Sequence, residues 1–274
     1  MKTGYSILPI LLVLIMSCED VIKVDTPSEE PRLSIDALLK IDTTDLFQRY
    51  QVKVRLTDSF FGQIPVTKLK QITIGAVLNE RVPGSGNYEG SGGGFQFYEE
   101  FEYILQVEHQ DQRYLARATN IATSAIDTIT QVTHASSNDG VSIAISFKDA
   151  PDKKNFYLFD MGFSELMVLD DAFFNGQTHQ FIYKYKTALK PDEQVEVAIM
   201  GIDEAFHNYM KQLISQSVDN ISPFDTPVAT LRGNIINVTE IDNIDFFDNV
   251  SQPENFALGY FAIAQIYKKS FIVR

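Results

Sequence analysis

The chain of 274 residues contains one cysteine, Cys18, whose setting is the strongest chemical signal in the sequence. An apolar run, residues 5–16, follows Lys2 and is separated from the thiol by Ser17. A basic residue, a short apolar segment and a small residue before a cysteine are typical of a signal peptide whose cysteine is lipidated. We therefore predict that residues 1–17 are removed and that Cys18 carries the lipid. The alternative, a transmembrane helix, needs about 20 apolar residues, and this run is shorter.

Two acidic residues, Glu19 and Asp20, follow the cysteine directly. They resemble the export signal that sends many Bacteroidota lipoproteins to the outer face of the outer membrane. The alternative is that they belong to a solvated tether, because residues 18–31 are polar and interrupted by proline. Both interpretations are compatible, and we predict an acidic tether at 18–31 and a lipid-anchored protein exposed at the cell surface.

The composition limits the classes of partner. The formal net charge is -13, so nucleic acid or an anionic lipid surface is not expected as the main partner, because phosphates would be repelled. Hydrophobic residues make up 45% of the chain, which is enough for a packed core without disulfides.

Alternation of apolar and polar residues is the dominant pattern after the tether and predicts many half-buried strands. The predicted strands are residues 32–38, 50–56, 72–78, 101–107, 113–119, 125–132, 141–147, 156–163, 180–186 and 195–200. Asn138, Asp139 and Gly140 predict a hairpin turn between two of them. Many short strands favour a mainly β fold of two antiparallel β-sandwich domains, at residues 32–122 and 125–274.

Two segments depart from this alternation. Residues 203–218 place apolar side chains at helical spacing behind Asp203, which predicts one amphipathic helix capped by that aspartate in the second domain. We expect its apolar face to lie on the second sheet; binding of a partner is the alternative. Residues 84–94 are rich in glycine and predict a flexible hairpin tip, since a phosphate-binding loop would need a closing lysine and a following helix.

Residue types suited to catalysis or metal binding are present without the necessary spacing. The four histidines, His109, His134, His179 and His207, lie on different predicted elements without zinc-ligand spacing, and we expect them at the surface. The acidic stretch 242–249 lacks the alternating ligands and glycine turn of a calcium loop, so a solvated loop is the better interpretation. We predict no enzyme activity, no metal site and no cofactor; a hydrolase site assembled in space from distant residues remains the alternative.

Paired phenylalanines recur three times beside acidic residues. The pairs are Phe60 and Phe61, Phe173 and Phe174, and Phe246 and Phe247. One interpretation is that one ring of each pair closes the end of a sandwich core. The other is that the outward rings form a partner-binding patch rimmed by acids.

The motifs of the whole chain together resemble a family of Bacteroidota lipoproteins catalogued as a domain of unknown function. The resemblance rests on the lipid cysteine with its acidic leader and on residues 31–35, 65–67, 103–105, 114–119, 126–129, 147–151, 155–157, 171–176, 223–224 and 257–261. It implies an immunoglobulin-like or carboxypeptidase-regulatory-like first domain and genes next to TonB-dependent outer-membrane receptors.

We therefore expect an outer-membrane binding protein, held through lipidated Cys18 and accessory to a TonB-dependent nutrient transporter, with an unknown ligand. The alternatives are a structural or adhesive surface module without cargo and a cryptic hydrolase.

Overall fold

The computed structural model describes residues 31–45, 49–57, 67–91, 97–99, 101–132, 140–151, 153–217, 230–239, 241 and 256–274. Residues Pro31–Arg274 form one compact unit. The fold is mainly β, as the alternating pattern predicts, and the described residues include one helix. None of the helices among these residues is long and apolar enough to cross a membrane.

The described residues form sixteen strands and one helix. The strands are β1 (Leu33–Ile41), β2 (Arg49–Leu56), β3 (Gln71–Ile74), β4 (Ala76–Val77), β5 (Asn79–Glu80), β6 (Asn87–Ser91), β7 (Glu102–His109), β8 (Gln112–Ile121), β9 (Ile126–Val132), β10 (Ser142–Lys148), β11 (Phe156–Asp160), β12 (Leu166–Asp170), β13 (Thr178–Lys184), β14 (Gln194–Ile202), β15 (Arg232–Asn237) and β16 (Phe256–Ile272). The helix, α1, spans Glu204–Gln216.

A large sheet runs in the order β4-β3-β7-β8-β15-β16-β1-β2-β6-β5. A branch leaves it at β16, where β14 pairs with β16, β11 with β14 and β12 with β11. A separate small sheet has the order β13-β10-β9. Most pairs are antiparallel, but β16 runs parallel to β1 and to β8, which the sequence pattern did not predict.

The long strand β16 contributes to three hydrophobic clusters because its alternate residues face opposite sides of the sheet. Phe261 and Ile263 belong to the first core, formed with residues of β1, β2, β3 and β7. Further along, Tyr267 and Phe271 pack on the second core, which lies between the branch and the small sheet. Ala264, on the opposite side, belongs to a third cluster beneath α1.

Helix α1 begins after Asp203, whose Oδ1 accepts a hydrogen bond from the backbone N–H of Phe206 at 2.7 Å. The predicted N-cap is therefore confirmed. Phe206 and Met210 are buried against alternate residues of β11 and β14. The apolar face of the helix thus packs on the outer side of the branch.

Several predicted elements differ from the observed ones. The predicted strand 72–78 is broken into β3 and β4 at Gly75, whose φ of 67° requires a left-handed turn. The flexible tip predicted at 84–94 was wrong for residues Asn87–Ser91, which form β6 between β2 and β5. Asn138 and Asp139 lie outside the described residues, but β9 and β10 are antiparallel neighbours.

The predicted domain boundary falls between β8, which ends at Ile121, and β9, which begins at Ile126. Thr123 in this connection donates its backbone N–H to Gln265 Oε1 at 2.8 Å, and Gly201 lies so close that a Cβ there would be 2.2 Å from the Ala122 carbonyl oxygen. The connection is therefore held against β14 and β16. The division into two domains and the immunoglobulin-like character of the first half stay predictions.

Candidate functional site

The loop between β12 and β13, residues 171–177, carries one of the predicted phenylalanine pairs. Its backbone makes two successive turns, in which Phe174 N–H donates to Asp171 O at 2.9 Å and Gln177 N–H donates to Phe174 O at 2.8 Å. Gly176 has a φ of 72°, a left-handed conformation that glycine adopts without strain. We name this segment the Phe173 loop.

Asp149 fixes one side of the Phe173 loop from the end of β10. Its side chain is 1% exposed and accepts hydrogen bonds from the Tyr157 hydroxyl and, at 2.7 Å, from the Gly176 N–H. Burial, the hydrogen bond to Asp149 and the negative charge of that carboxylate all raise the pKa of Tyr157. The phenol therefore stays protonated and donates to the carboxylate.

Asp171 fixes the other side of the Phe173 loop. Its carboxylate is 1% exposed, and Oδ2 accepts from the backbone N–H of Asn155 and from the Asn175 side-chain amide, both at 2.9 Å. The Asn175 amide also donates to the Lys153 carbonyl at 2.7 Å. Hydrogen bonds to buried carboxylates are among the stronger ones, so the Phe173 loop is held rigidly at both ends.

The two phenylalanines of this loop have opposite environments. Phe174 is 6% exposed, belongs to the second core and stacks on the imidazole of His179 with ring centroids 3.9 Å apart. Phe173 is 96% exposed. One ring thus lies in the core while its neighbour lies in solvent, and the binding of a partner by the outward ring stays a prediction.

The other predicted site residues lie outside the described part of the chain. They are the lipidation residue Cys18, the export residues Glu19 and Asp20, and the partner-binding candidates Phe60, Phe61, Phe246 and Phe247. Their roles stay predictions.

The expectation of surface histidines was wrong for the three that the structure describes. His109 and His207 are buried, and His179 is half-buried beneath Phe174. Burial lowers the pKa of both His109 and His179. Within the described ranges, no group of three or more His, Cys, Asp or Glu side chains is arranged to hold a metal ion.

Sequence reasoning missed a cleft of about 750 Å³ between α1 and the outer face of β1 and β16. Ser34, Asp36 and Leu38 line it from alternate positions of β1, and Tyr209 and Leu213 line it from the helix. The period-two and helical spacings of these residues were visible in the sequence. Their proximity was not, because it depends on the pairing of β1 with β16.

Three rings form an aromatic wall in this cleft: Phe206, Tyr209 and Tyr260. The Tyr260 centroid lies 4.8 Å from that of Phe206 and 4.9 Å from that of Tyr209. Burial raises the pKa of both tyrosines, with smaller contributions from Asp36 at Tyr209 and from Asp203 at Tyr260. Both hydroxyls therefore remain neutral, and the wall is an apolar surface with two polar tips.

These features define a mainly β protein with a rigidly presented aromatic loop and an aromatic-walled cleft. The family model described as Domain of unknown function (DUF4249) matches residues 19–270, and the chain belongs to that family. No curated protein matches the chain.

Proposed function

We propose that this protein is a lipid-anchored binding protein of the outer membrane, exposed at the cell surface and accessory to a TonB-dependent nutrient transporter. The observation that carries the binding role is Phe173, a phenylalanine 96% exposed on a loop fixed by two buried carboxylates. The sequence around Cys18, Glu19 and Asp20 supports the location.

The rigidity of the Phe173 loop favours binding for a thermodynamic reason. A loop that must be ordered on association loses conformational entropy, which weakens the complex. Asp149 and Asp171 already hold the loop in one conformation, so Phe173 can be buried by a partner at little further entropic cost. Rigid aromatic anchors are common hot spots of protein interfaces.

The association with a transporter is tested by purification after mild detergent extraction. We expect a stoichiometric β-barrel partner with the unmodified protein and its loss with Phe173→Ser. The matched control is Val82→Ser, which removes another exposed apolar side chain, 62% exposed, from a different loop. The control is expected to keep the partner.

Absence of a barrel partner from the unmodified protein would overturn the transporter association and favour a free-standing structural or adhesive module. If the variant Phe173→Ser still retains the partner, the Phe173 loop is not part of the interface. Both variants are compared by circular dichroism, so that unfolding is recognised separately.

The anchor is tested independently by metabolic labelling with a clickable palmitate. We expect label on the unmodified protein and none on Cys18→Ala. An unlabelled, freely soluble unmodified protein would contradict the outer-membrane location.

A further inference from the structure

Two arginines flank the cleft beneath α1 on the same face of the large sheet. Arg55 on β2 is paired with Ser34 on β1, Ser34 with Leu258 on β16, and Leu258 with Arg232 on β15. Residues directly opposite one another share a face of the sheet. Ser34 and Leu258 line the cleft. Arg55 and Arg232 do not line it but lie one strand further out on either side of these two residues.

The spacing of these strands allows both arginines to reach one anion. Arg55 and Arg232 lie on the outer two of four adjacent strands. Because neighbouring strands are about 4.8 Å apart, these outer two strands are about 14 Å apart. Arginine side chains are long and bind carboxylate or phosphate oxygens through a planar fork of donors. A negatively charged group above Ser34 and Leu258 would therefore lie between the two strands that carry Arg55 and Arg232.

The ring of Phe256 contacts the guanidinium groups of two arginines, Arg32 and Arg232. The guanidinium carbons of Arg32 and Arg232 lie 5.6 and 5.3 Å from the centroid of the Phe256 ring. The stacking limits the conformations of both side chains before any ligand arrives.

The local charge is opposite in sign to that of the chain as a whole, which is -13. Arg55 and Arg232 are exposed and make no ion pair with any carboxylate among the described residues. Asp36, further along β1 in the cleft, is paired in register with Lys53 of β2. The arginines thus lie near the end of the cleft formed by Ser34 and Leu258, and the aromatic wall lies level with Asp36, whose register partner on β16 is Tyr260.

We infer that this cleft binds a single-chain amphiphile with an anionic head, the carboxylate or phosphate lying between Arg55 and Arg232 and the alkyl chain lying along Tyr209, Tyr260 and Leu213. The cleft volume of about 750 Å³ lies within the range of about 300–1,000 Å³ for small-molecule sites. This inference names the cargo class of the proposed binding protein and rests on that role for its biological meaning. It does not depend on the membrane anchor or the transporter.

The test is a calorimetric titration of the whole chain carrying Cys18→Ser, so that no acyl group of its own can occupy the cleft. The ligands are laurate, dodecyl phosphate and, as a neutral amphiphile, dodecyl maltoside below its micelle concentration. We expect at least one of the two anions to bind at least tenfold more tightly than the maltoside. The comparison of laurate with dodecyl phosphate distinguishes a free fatty acid from a phosphate headgroup as the source of the anion.

Variants locate the binding site. The double variant Arg55→Gln and Arg232→Gln should weaken binding of the anion at least tenfold, and Leu213→Glu, which adds a carboxylate to the cleft, should abolish it. The matched control is Arg49→Gln, on the same strand and face as Arg55 but six residues away, and its affinity should match that of the parent chain.

Three results would overturn the inference. They are no binding of either anion, binding of the maltoside as tight as that of the anions, or the same loss of anion affinity in the double variant as in the control Arg49→Gln. Each variant is checked for its unfolding transition before titration. Because no transporter is present, failure here leaves the co-purification result standing.

Discussion

The ring of Phe174 lies flat on the imidazole of His179, with centroids 3.9 Å apart and planes inclined by 13°. Phe174 also meets Phe147 edge to face at 5.9 Å. These contacts place the middle of the Phe173 loop in the second core, while Asp149 and Asp171 fix its two sides. The exposed position of Phe173 is therefore a consequence of how its neighbour is buried.

The two adjacent phenylalanines should respond differently to truncation. Phe174→Ala should lower the free energy of unfolding by about 3–5 kcal/mol, because it leaves a cavity in the second core. Phe173→Ser should change it by less than about 0.5 kcal/mol, because its ring is already in water. Urea unfolding of both variants measures this contrast, and equal losses would contradict the assigned environments.

The carboxylate of Asp149 should stabilise the Phe173 loop through Gly176. Tyr157→Phe removes one hydrogen bond to Asp149 and should cost about 1–3 kcal/mol. Asp149→Ala should cost more, because the buried Tyr157 hydroxyl and the Gly176 N–H both lose their acceptor. Hydrogen exchange of the Gly176 amide should accelerate in Asp149→Ala and remain slow in Tyr157→Phe; slow exchange in both would show that Asp149 does not hold the loop.

His179 should make the protein less stable in mild acid. Burial lowers its pKa below the ordinary value of 6.5, so the unfolded chain binds this proton more tightly than the folded one. Its contribution to stability is therefore complete above about pH 6.5 and decreases as the pH falls below it. The variant His179→Phe should lose less stability than the unmodified protein between about pH 7 and about pH 5, measured by unfolding at each pH. The buried His109 is present in both proteins and serves as an internal reference; identical pH profiles would contradict the role of His179.

Gly233 should tolerate no side chain. A Cβ at this position would lie 1.6 Å from the carbonyl oxygen of Gly259, so the backbones of β15 and β16 would have to separate. Gly233→Ala should cost about 3 kcal/mol or more. Gly84→Ala is the control: its Cβ would meet open space, and its φ of 77° should cost only about 1–2 kcal/mol. Calorimetric melting temperatures rank the two, and the reverse order would contradict the close approach.

The sequence pattern was most informative where one face of an element is exposed. In β2 the side chains of Tyr50, Val52 and Val54 are buried and those between them are exposed, so alternation identified the strand. In β16 both faces are covered over Phe261–Ala264, so alternation disappears and the strand was not predicted. Asp203 was identified as a helix cap because capping depends on residues next to one another in sequence.

The candidate site was only partly predictable for a related reason. The phenylalanine pair at 173 and 174 was visible in the sequence. Which of the two rings faces outward depends on the hydrogen bond from the Gly176 N–H to Asp149, which the sequence does not show. The cleft was not predictable, because Ser34 and Leu258 come together only when β1 and β16 pair.

The three hydrophobic clusters depend on a single strand. β16 contributes side chains to the first and third clusters and packs side chains on the second. A chain that stops before Phe256 would therefore leave apolar side chains of all three clusters exposed to water at the same time.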